Sequence, residues 1–394
     1  MGDQQNPAIK DDFFAKVKLY YCDIFNTFIL KIVLWTLLIF HGGIGLVQTY
    51  FMMYVFGSRE FASYGPLFFA SFFALGGVVT ILFKQHAYSR LPEELDMWKI
   101  DPEMYRSIKT EVRVINFVME IFFWLSMLAG CLTILPTSID YQRFFFIKLV
   151  RDHCPKCSTF LTYLYKLTMP MMVHSGIAPC VMFMYCTCHV RYQLIMLNRH
   201  TRRLLDRGRN ESDLENLPIN ETFQREIRTK MIFCVKRQVL FLRLCKKIEN
   251  ELAAVFGFYA LAGCAVGISV ILFTMMFWDV IFHETIMMIR MTVLGVLVGF
   301  YFAILFLSGQ ALENEIDQIS ETVSDIEWYF LDAPNQKLYL IVLINSMQSY
   351  RVKFLSHSIN FQLGVDVGKQ IYAVGSVLIN MKSRFVNNNN NLAN

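Results

Sequence analysis

Six stretches of this chain run for more than twenty residues with at most one charged side chain: 32–58, 61–83, 114–139, 167–190, 252–278 and 291–312. A helix crosses a bilayer core of about 30 Å with about 20 apolar residues. Inside hydrocarbon, backbone amides must bond within their own segment, so such runs fold as helices. The expected fold class is therefore all-α, a polytopic membrane protein. Composition agrees: 55% of residues are hydrophobic and 18% charged, against roughly 45–50% and 25% for soluble domains. A disordered chain, a collagen and a coiled-coil rod are excluded, and a soluble multidomain enzyme fits poorly.

A seventh span is expected over 363–385. Only Gln370 to Met381 is free of charge there, and Asp366 and Lys369 must be tolerated to reach Leu363. A less apolar helix is expected where one face meets water rather than lipid.

Basic residues set the orientation. Residues 1–31, 84–113, 191–251 and 313–362 carry 27 of the 37 Lys and Arg, and the connections on the other side carry 9. The first set is expected in the cytosol, with the N-terminus inside and, after seven spans, the C-terminus outside. G-protein-coupled receptors run the other way. The opening MGDQQNPAIKDD has no short apolar core with a cleavage site, so the first span itself is expected to direct insertion.

The chain then divides into a cytosolic N-terminal segment (1–31), spans one to four (32–190), a basic cytosolic loop with a helical extension (191–251), spans five and six (252–312), acidic cytosolic helices (313–362), a seventh span (363–385) and a polar, disordered tail (386–394). In the basic loop, Arg199, Arg202, Arg203, Arg207 and Arg209 cluster, as a solvated face near anionic lipid does. Ile227, Met231, Cys234, Val235, Phe241, Leu242 and Leu244 recur at three- and four-residue spacing, so helix five is expected to begin well before its membrane part. Leu312, Ile316, Ile319, Val323, Ile326 and Phe330 repeat the pattern among Glu313, Glu315, Asp317, Glu321, Asp325 and Glu327. The basic and acidic extensions share a side and are expected to pack into one bundle.

No Gly-rich phosphate loop, HExxH or GxSxG is present, so no catalytic activity and no cofactor are expected. Basic residues punctuate apolar runs instead of forming a stripe, so no nucleic-acid partner is expected. Cys154-Pro155-Lys156-Cys157 is a single CxxC without a second pair for zinc; a disulfide and two free thiols both remain open. His41, Glu120 and His174 fall inside spans, where ionisable groups are costly and are either functional or hydrogen-bonded between helices. Phe68, Phe72, Trp124, Met127, Tyr165, Met169 and Met172, with His174, place aromatics and Met in the outer halves of spans two to four. They suit core or lipid contact, and equally a pocket for a small apolar ligand. Val374, Leu378, Met381 and Phe385 lie on one helical stripe, as packing requires and as a hydrophobic constriction also would.

The whole architecture resembles the insect odorant receptors, most specifically through Ser324-Asp325-Ile326-Glu327-Trp328-Tyr329, Gln336-Lys337-Leu338 and Met347-Gln348. Ser349 stands where that family usually has Pro, and Gly375-Ser376-Val377-Leu378 replaces its Tyr-containing final motif. The Thr-Tyr and Gln-Phe endings of the related gustatory receptors, whose channels work as homomers, are absent. The second cytosolic loop is shorter than in the odorant co-receptor. The resemblance implies an odorant-gated, non-selective cation channel in the plasma membrane: a ligand-tuning subunit that shares a tetrameric pore with the co-receptor. It implies a volatile ligand among spans two, three, four and six, and a cytosolic anchor bundle. It also implies a pore-lining last helix gated by Met381 and Phe385, with Val374 and Leu378 below.

The orientation makes a direct prediction. The sequons at Asn210 and Asn220 face the cytosol and carry no glycan. Glycosidase treatment of protein from insect cells should leave its gel mobility unchanged; a shift lost on substituting either Asn would invert the topology.

Overall fold

The computed structural model describes residues 13–94, 102–204, 220–347, 353–354, 357–373 and 376–377. Charge-free runs become helices there, and most continue beyond the length of a membrane crossing. A short helix α1 (Ala15–Tyr21) leads into α2 (Phe28–Tyr54), α3 (Ser58–Glu94) and α4 (Pro102–Leu132). Three short helices follow: α5 (Asp140–Arg143), α6 (Phe145–His153) and α7 (Ser158–Leu167). Then come α8 (Met169–Arg202), α9 (Glu221–Met276), α10 (Trp278–His283), α11 (Thr285–Ser324) and α12 (Ala333–Met347). A two-residue antiparallel ladder pairs Lys353 with Ser358 and Phe354 with His357. A further helix covers 361–373.

The all-α expectation holds. Among the described residues, five helical segments are long and apolar enough to span a membrane, and the end of α9 adds the shorter stretch Leu261–Met276. The seventh expected span starts in the 361–373 helix. Its candidate gate residues Val374, Leu378, Met381 and Phe385 lie outside the described residues. The connection over 140–166 is more structured than its sequence indicates, because α5, α6 and α7 are too short to show a periodicity.

At ~1.5 Å per residue, the 56 residues of α9 and the 40 of α11 reach far past a ~30 Å core. Local signals set their ends. Asn220 caps α9 by accepting a hydrogen bond from Phe223 N at 3.1 Å. Asp332 caps α12 by accepting from Asn335 N at 2.9 Å. Asn360 caps the last helix by accepting from Leu363 N at 3.2 Å.

Helix α8 is the axis of the bundle. Its membrane window is 72% buried, against 22–39% for the other four. Helices α3, α4 and α11 pack around it, and α9 packs on α3. Beyond the apolar stretches, α8, α9, α11 and α12 converge at the end opposite α5–α7. Asn198 meets Gln318 at 3.4 Å and Arg202 Nε meets Thr322 Oγ1 at 3.4 Å, so the basic and acidic extensions do pack together.

Proline and glycine fix how closely these helices approach. Pro179 lies inside α8 and has no N–H for the carbonyl of Ser175, four residues earlier. That carbonyl is turned to Gly77 of α3. A Cβ on Gly77 would lie 2.0 Å from Ser175 O, an impossible contact with backbone. Gly130 of α4 stands in the same relation to Pro170, whose Cα would be 2.2 Å away. Close backbone approach across small residues is a main source of helix association in lipid.

Gly77→Ala should therefore push α3 off α8 and cost about 1–3 kcal/mol, the usual penalty of overpacking. Gly43, with nothing within 4 Å of an added Cβ, is the control. Thermal melting of detergent-solubilised protein should fall for Gly77→Ala and hold for Gly43→Ala.

Candidate functional site

The eight residues singled out for a ligand fall in several places around α8. Tyr165 and Met169 are buried near the α7–α8 junction with Phe144 and Ile147, against Phe40 and Ile44 of α2, Leu67 of α3 and Phe146 of α6. Thr168 is hydrogen-bonded there to His41 Nε2 at 2.7 Å, and its hydroxyl donates to the Tyr165 carbonyl at 2.6 Å. His41 is thus a bond between α2 and the start of α8.

His174 and Met172 face a second region. The His174 ring sits 5.5 Å from Phe25, 5.2 Å from Tyr21 and 5.0 Å from Phe123. Its Nε2 donates to the Tyr20 carbonyl, and Ser126 Oγ lies 3.3 Å from Nδ1. The segment before α2 is thereby pinned to α8. Glu120 pairs with Lys16 of α1 at 2.8 Å, so this intramembrane carboxylate has a partner on the same short helix.

Phe68 and Phe72 pair edge to face 4.9 Å apart along α3, and Phe72 faces Gly45 of α2. Met127 packs partly buried on the main core. Trp124 is 61% exposed on the outside of the bundle. Its large apolar surface there suits lipid contact.

The place where α3, α8, α9 and α11 converge is marked by other residues. Phe73 lies 4.5 Å from Tyr259 and 5.7 Å from Tyr301, both at steep angles. Cys180 Sγ lies 3.6 Å from the Tyr301 carbonyl. On the neighbouring α4–α11 contact, Phe122 meets Phe300. Aromatic density of this kind gives a tightly packed apolar contact region with few polar handles.

Towards the α5–α7 end of the bundle sits a charge cluster that residue spacing did not reveal. Asp140 receives Lys166 Nζ at 2.5 Å and Arg290 Nη1 at 3.1 Å. Thr137 adds its backbone N–H at 3.0 Å and its hydroxyl at 2.6 Å. Arg290 also donates through Nε to the Leu132 carbonyl at 2.7 Å and through Nη2 to that of Leu135. All three charged side chains are buried. The trio therefore ties the α4–α5 turn to α7 and α11, and closes the carbonyls left open at the end of α4. Burial alone would raise the Asp140 carboxyl; Lys166 and Thr137 outweigh it and hold the group below the usual carboxylate range. Next to it, burial and then Arg290 lower Arg143 to about 10, still a cation at neutral pH. Its guanidinium lies 5.2 Å from the Phe273 ring centroid.

A second ionic joint closes the opposite end. Arg191 of α8 pairs with Glu111 of α4 and, at 3.3 Å, with Glu315 of α11. Beyond it, Gln224 of α9 organises the turn before α12. Its Nε2 donates to the Phe330 carbonyl at 2.8 Å, and its Oε1 accepts from Asp332 N at 3.0 Å and from Asn335 Nδ2 at 2.8 Å. This holds the Trp328-Tyr329 step with both rings half-exposed. Among the described residues no cluster of His, Cys, Asp or Glu is arranged to hold a metal ion.

Apolar spans around a central helix, an aromatic interior and ionic closures at both ends describe a multi-pass membrane protein. The chain belongs to the 7tm odorant receptor family, whose model it matches over residues 59–372. The fold is similar to that of the insect olfactory receptor OR5 from Machilis hrabei: TM-score 0.69, 10% identity, covering 93% of this chain and 96% of that one. It is also similar to the same receptor in complex with eugenol: TM-score 0.64, 10% identity, covering 94% and 97%. No curated protein sequence matches it closely enough to count as a relative.

The ion trio makes a prediction with a definite sign. Asp140→Asn leaves Lys166 and Arg290 buried without a counter-charge and should cost about 3–5 kcal/mol. Because the folded Asp140 carboxyl is held low, its contribution is complete above the unfolded value of about 3.9. It is lost only as pH falls through the lower folded value. Melting of the unsubstituted protein should show no step from this group between pH 7 and 5. The difference from Asp140→Asn should close only in stronger acid.

Proposed function

We propose that this chain is the ligand-tuning subunit of an odorant-gated, non-selective cation channel in the plasma membrane, with its N-terminus in the cytosol. The observation that carries this reading is membership of the odorant receptor family together with a matching fold in a receptor solved with eugenol. A volatile apolar ligand enters the interior among α3, α4, α8 and α11. Met127 and Met172 from the expected set, with Phe73 and Tyr301, are its candidate contacts, while Phe68 and Phe72 pack on the α2 side of α3. His174, Tyr165 and Met169 act in the helix junctions around it. A ligand shifts the receptor only through a difference in affinity between its closed and open states. Here that difference arises where α11 meets α3 and α8. The last helix then moves, and the stripe of Val374, Leu378, Met381 and Phe385 widens and wets.

The partner in this reading is the odorant co-receptor, in a heterotetramer. Leu340, Ile341, Ile344 and Met347 leave an apolar stripe exposed on α12, and a stripe of this size at the bundle end supports assembly with neighbouring subunits.

The test is electrical. With G-protein signalling blocked, cells expressing this chain and a co-receptor should pass a fast cation current to at least one volatile of a broad panel, and cells with either chain alone should pass none. A current from this chain alone would favour the homomeric, gustatory-type channel. Tyr301→Ala, at equal surface expression, should move the half-maximal concentration of an active volatile by about 10–200-fold, the usual range for altered apolar pockets. Trp124→Ala should leave it unchanged.

A further inference from the structure

Six of the ten cysteines, Cys22, Cys180, Cys186, Cys188, Cys234 and Cys245, are buried in the core, where no reagent reaches them. Cys154 and Cys157 differ in both exposure and arrangement. They flank a 3-10 turn (Pro155–Cys157) between α6 and α7, and both are exposed. Cys157 N donates to the Cys154 carbonyl at 3.1 Å, which closes the turn. Ser158 Oγ donates to the Pro155 carbonyl at 3.0 Å and braces it. A turn of this span keeps its first and fourth Cα atoms within about 7 Å, and a disulfide needs about 4.4–6.8 Å. Pro155 further restricts the backbone between the two thiols.

We propose that Cys154 and Cys157 are a reversible redox pair that closes to a disulfide on the outer face of the receptor. The proposal rests on the orientation given above, which puts this turn in an oxidising space where disulfides persist. The two thiols are free in this structure. Closure proceeds by exchange with a low-molecular-weight disulfide such as oxidised glutathione. The thiolate of one cysteine attacks a sulfur of that disulfide, a mixed disulfide forms, and one small thiolate leaves. The second cysteine thiolate then attacks the protein sulfur of the mixed disulfide and expels the other small thiol. Two protein thiols have lost two electrons and two protons, and the small disulfide has become two thiols. An exposed disulfide belongs to the readily reduced class, so excess small thiol reverses the step.

The pair is well placed to matter. Cys157 immediately precedes α7, and the same helix carries Lys166 of the buried ion trio near its far end. Closing the turn fixes the start of a helix whose end holds Asp140.

The test uses full-length receptor in intact cells, with Cys131→Ser and Cys264→Ser to remove the two other exposed thiols. Cells are treated with a membrane-impermeant maleimide polymer, before and after an impermeant phosphine reductant. No added polymer before reduction and two polymers per surface chain after it are expected. Cys154→Ser should take up one polymer without reduction, because Cys157 has lost its partner. Two polymers on the untreated parent would show free thiols and overturn the proposal while leaving the orientation intact. Labelling that appears only after permeabilisation would overturn the orientation, and the proposal with it.

Discussion

Helix α8 is enclosed on every side by protein within a membrane domain, and most of the structure follows from that enclosure. A helix in contact with lipid can leave its side chains to hydrocarbon; an enclosed one must match every neighbour. Two polar side chains near its start bond to neighbouring segments: His174 takes the Tyr20 carbonyl and Ser126, and Thr168 takes His41. Its one internal proline frees a carbonyl at the point where α3 offers glycine. The many cysteines of α8 fit the same logic, since a thiol is compact and apolar enough for close packing.

The ionic groups are sorted to the ends of this enclosed axis. Arg290 and Glu315 both belong to α11, twenty-five residues apart, or nearly 40 Å at ~1.5 Å per residue. The first is fixed by Asp140 at the α5–α7 end, and the second by Arg191 at the α12 end. Between them α11 presents the Tyr301 ring to Phe73 in an apolar contact that no charge or side-chain hydrogen bond fixes. Buried ion pairs contribute little net stability against apolar replacements of the same shape, yet removing one partner is costly. Their effect here is to fix registers at both ends and leave the middle of the helix free to repack.

These two kinds of interaction also explain what was legible in the sequence. Spans, the continuous α9 and the packing of the acidic extension on the basic one follow from periodicity and charge along a single stretch of chain. The hydrogen-bonded roles of His41 and His174 follow from the cost of bare polar groups in lipid. The ion trio was not legible, because Asp140, Lys166 and Arg290 are 26 to 150 residues apart and nothing local marks them as partners. Gln224 and Asn335 were hidden for the same reason. Trp124 shows a different limit. In a soluble helix, an apolar residue points inward; in a membrane helix both faces are apolar, and composition cannot separate lipid from interior. Phe73, beside Phe72 in the same run, is the residue that meets Tyr259 and Tyr301.

The low identity to a receptor of the same fold is a consequence of this division of labour. Cores accept extensive apolar exchange when volume and pattern are kept, so a chain at 10% identity can keep a TM-score of 0.69. The constraints that do not relax are the close backbone approaches, such as Gly77 on Ser175, and the paired charges at the helix ends. Aromatic and Met side chains between them are held by shape alone. That middle region can change from one receptor to another at little cost to the fold, and ligand preference can diverge there while the architecture stays put. The side chains around Phe73 and Tyr301 of this chain are of that freely exchanged kind.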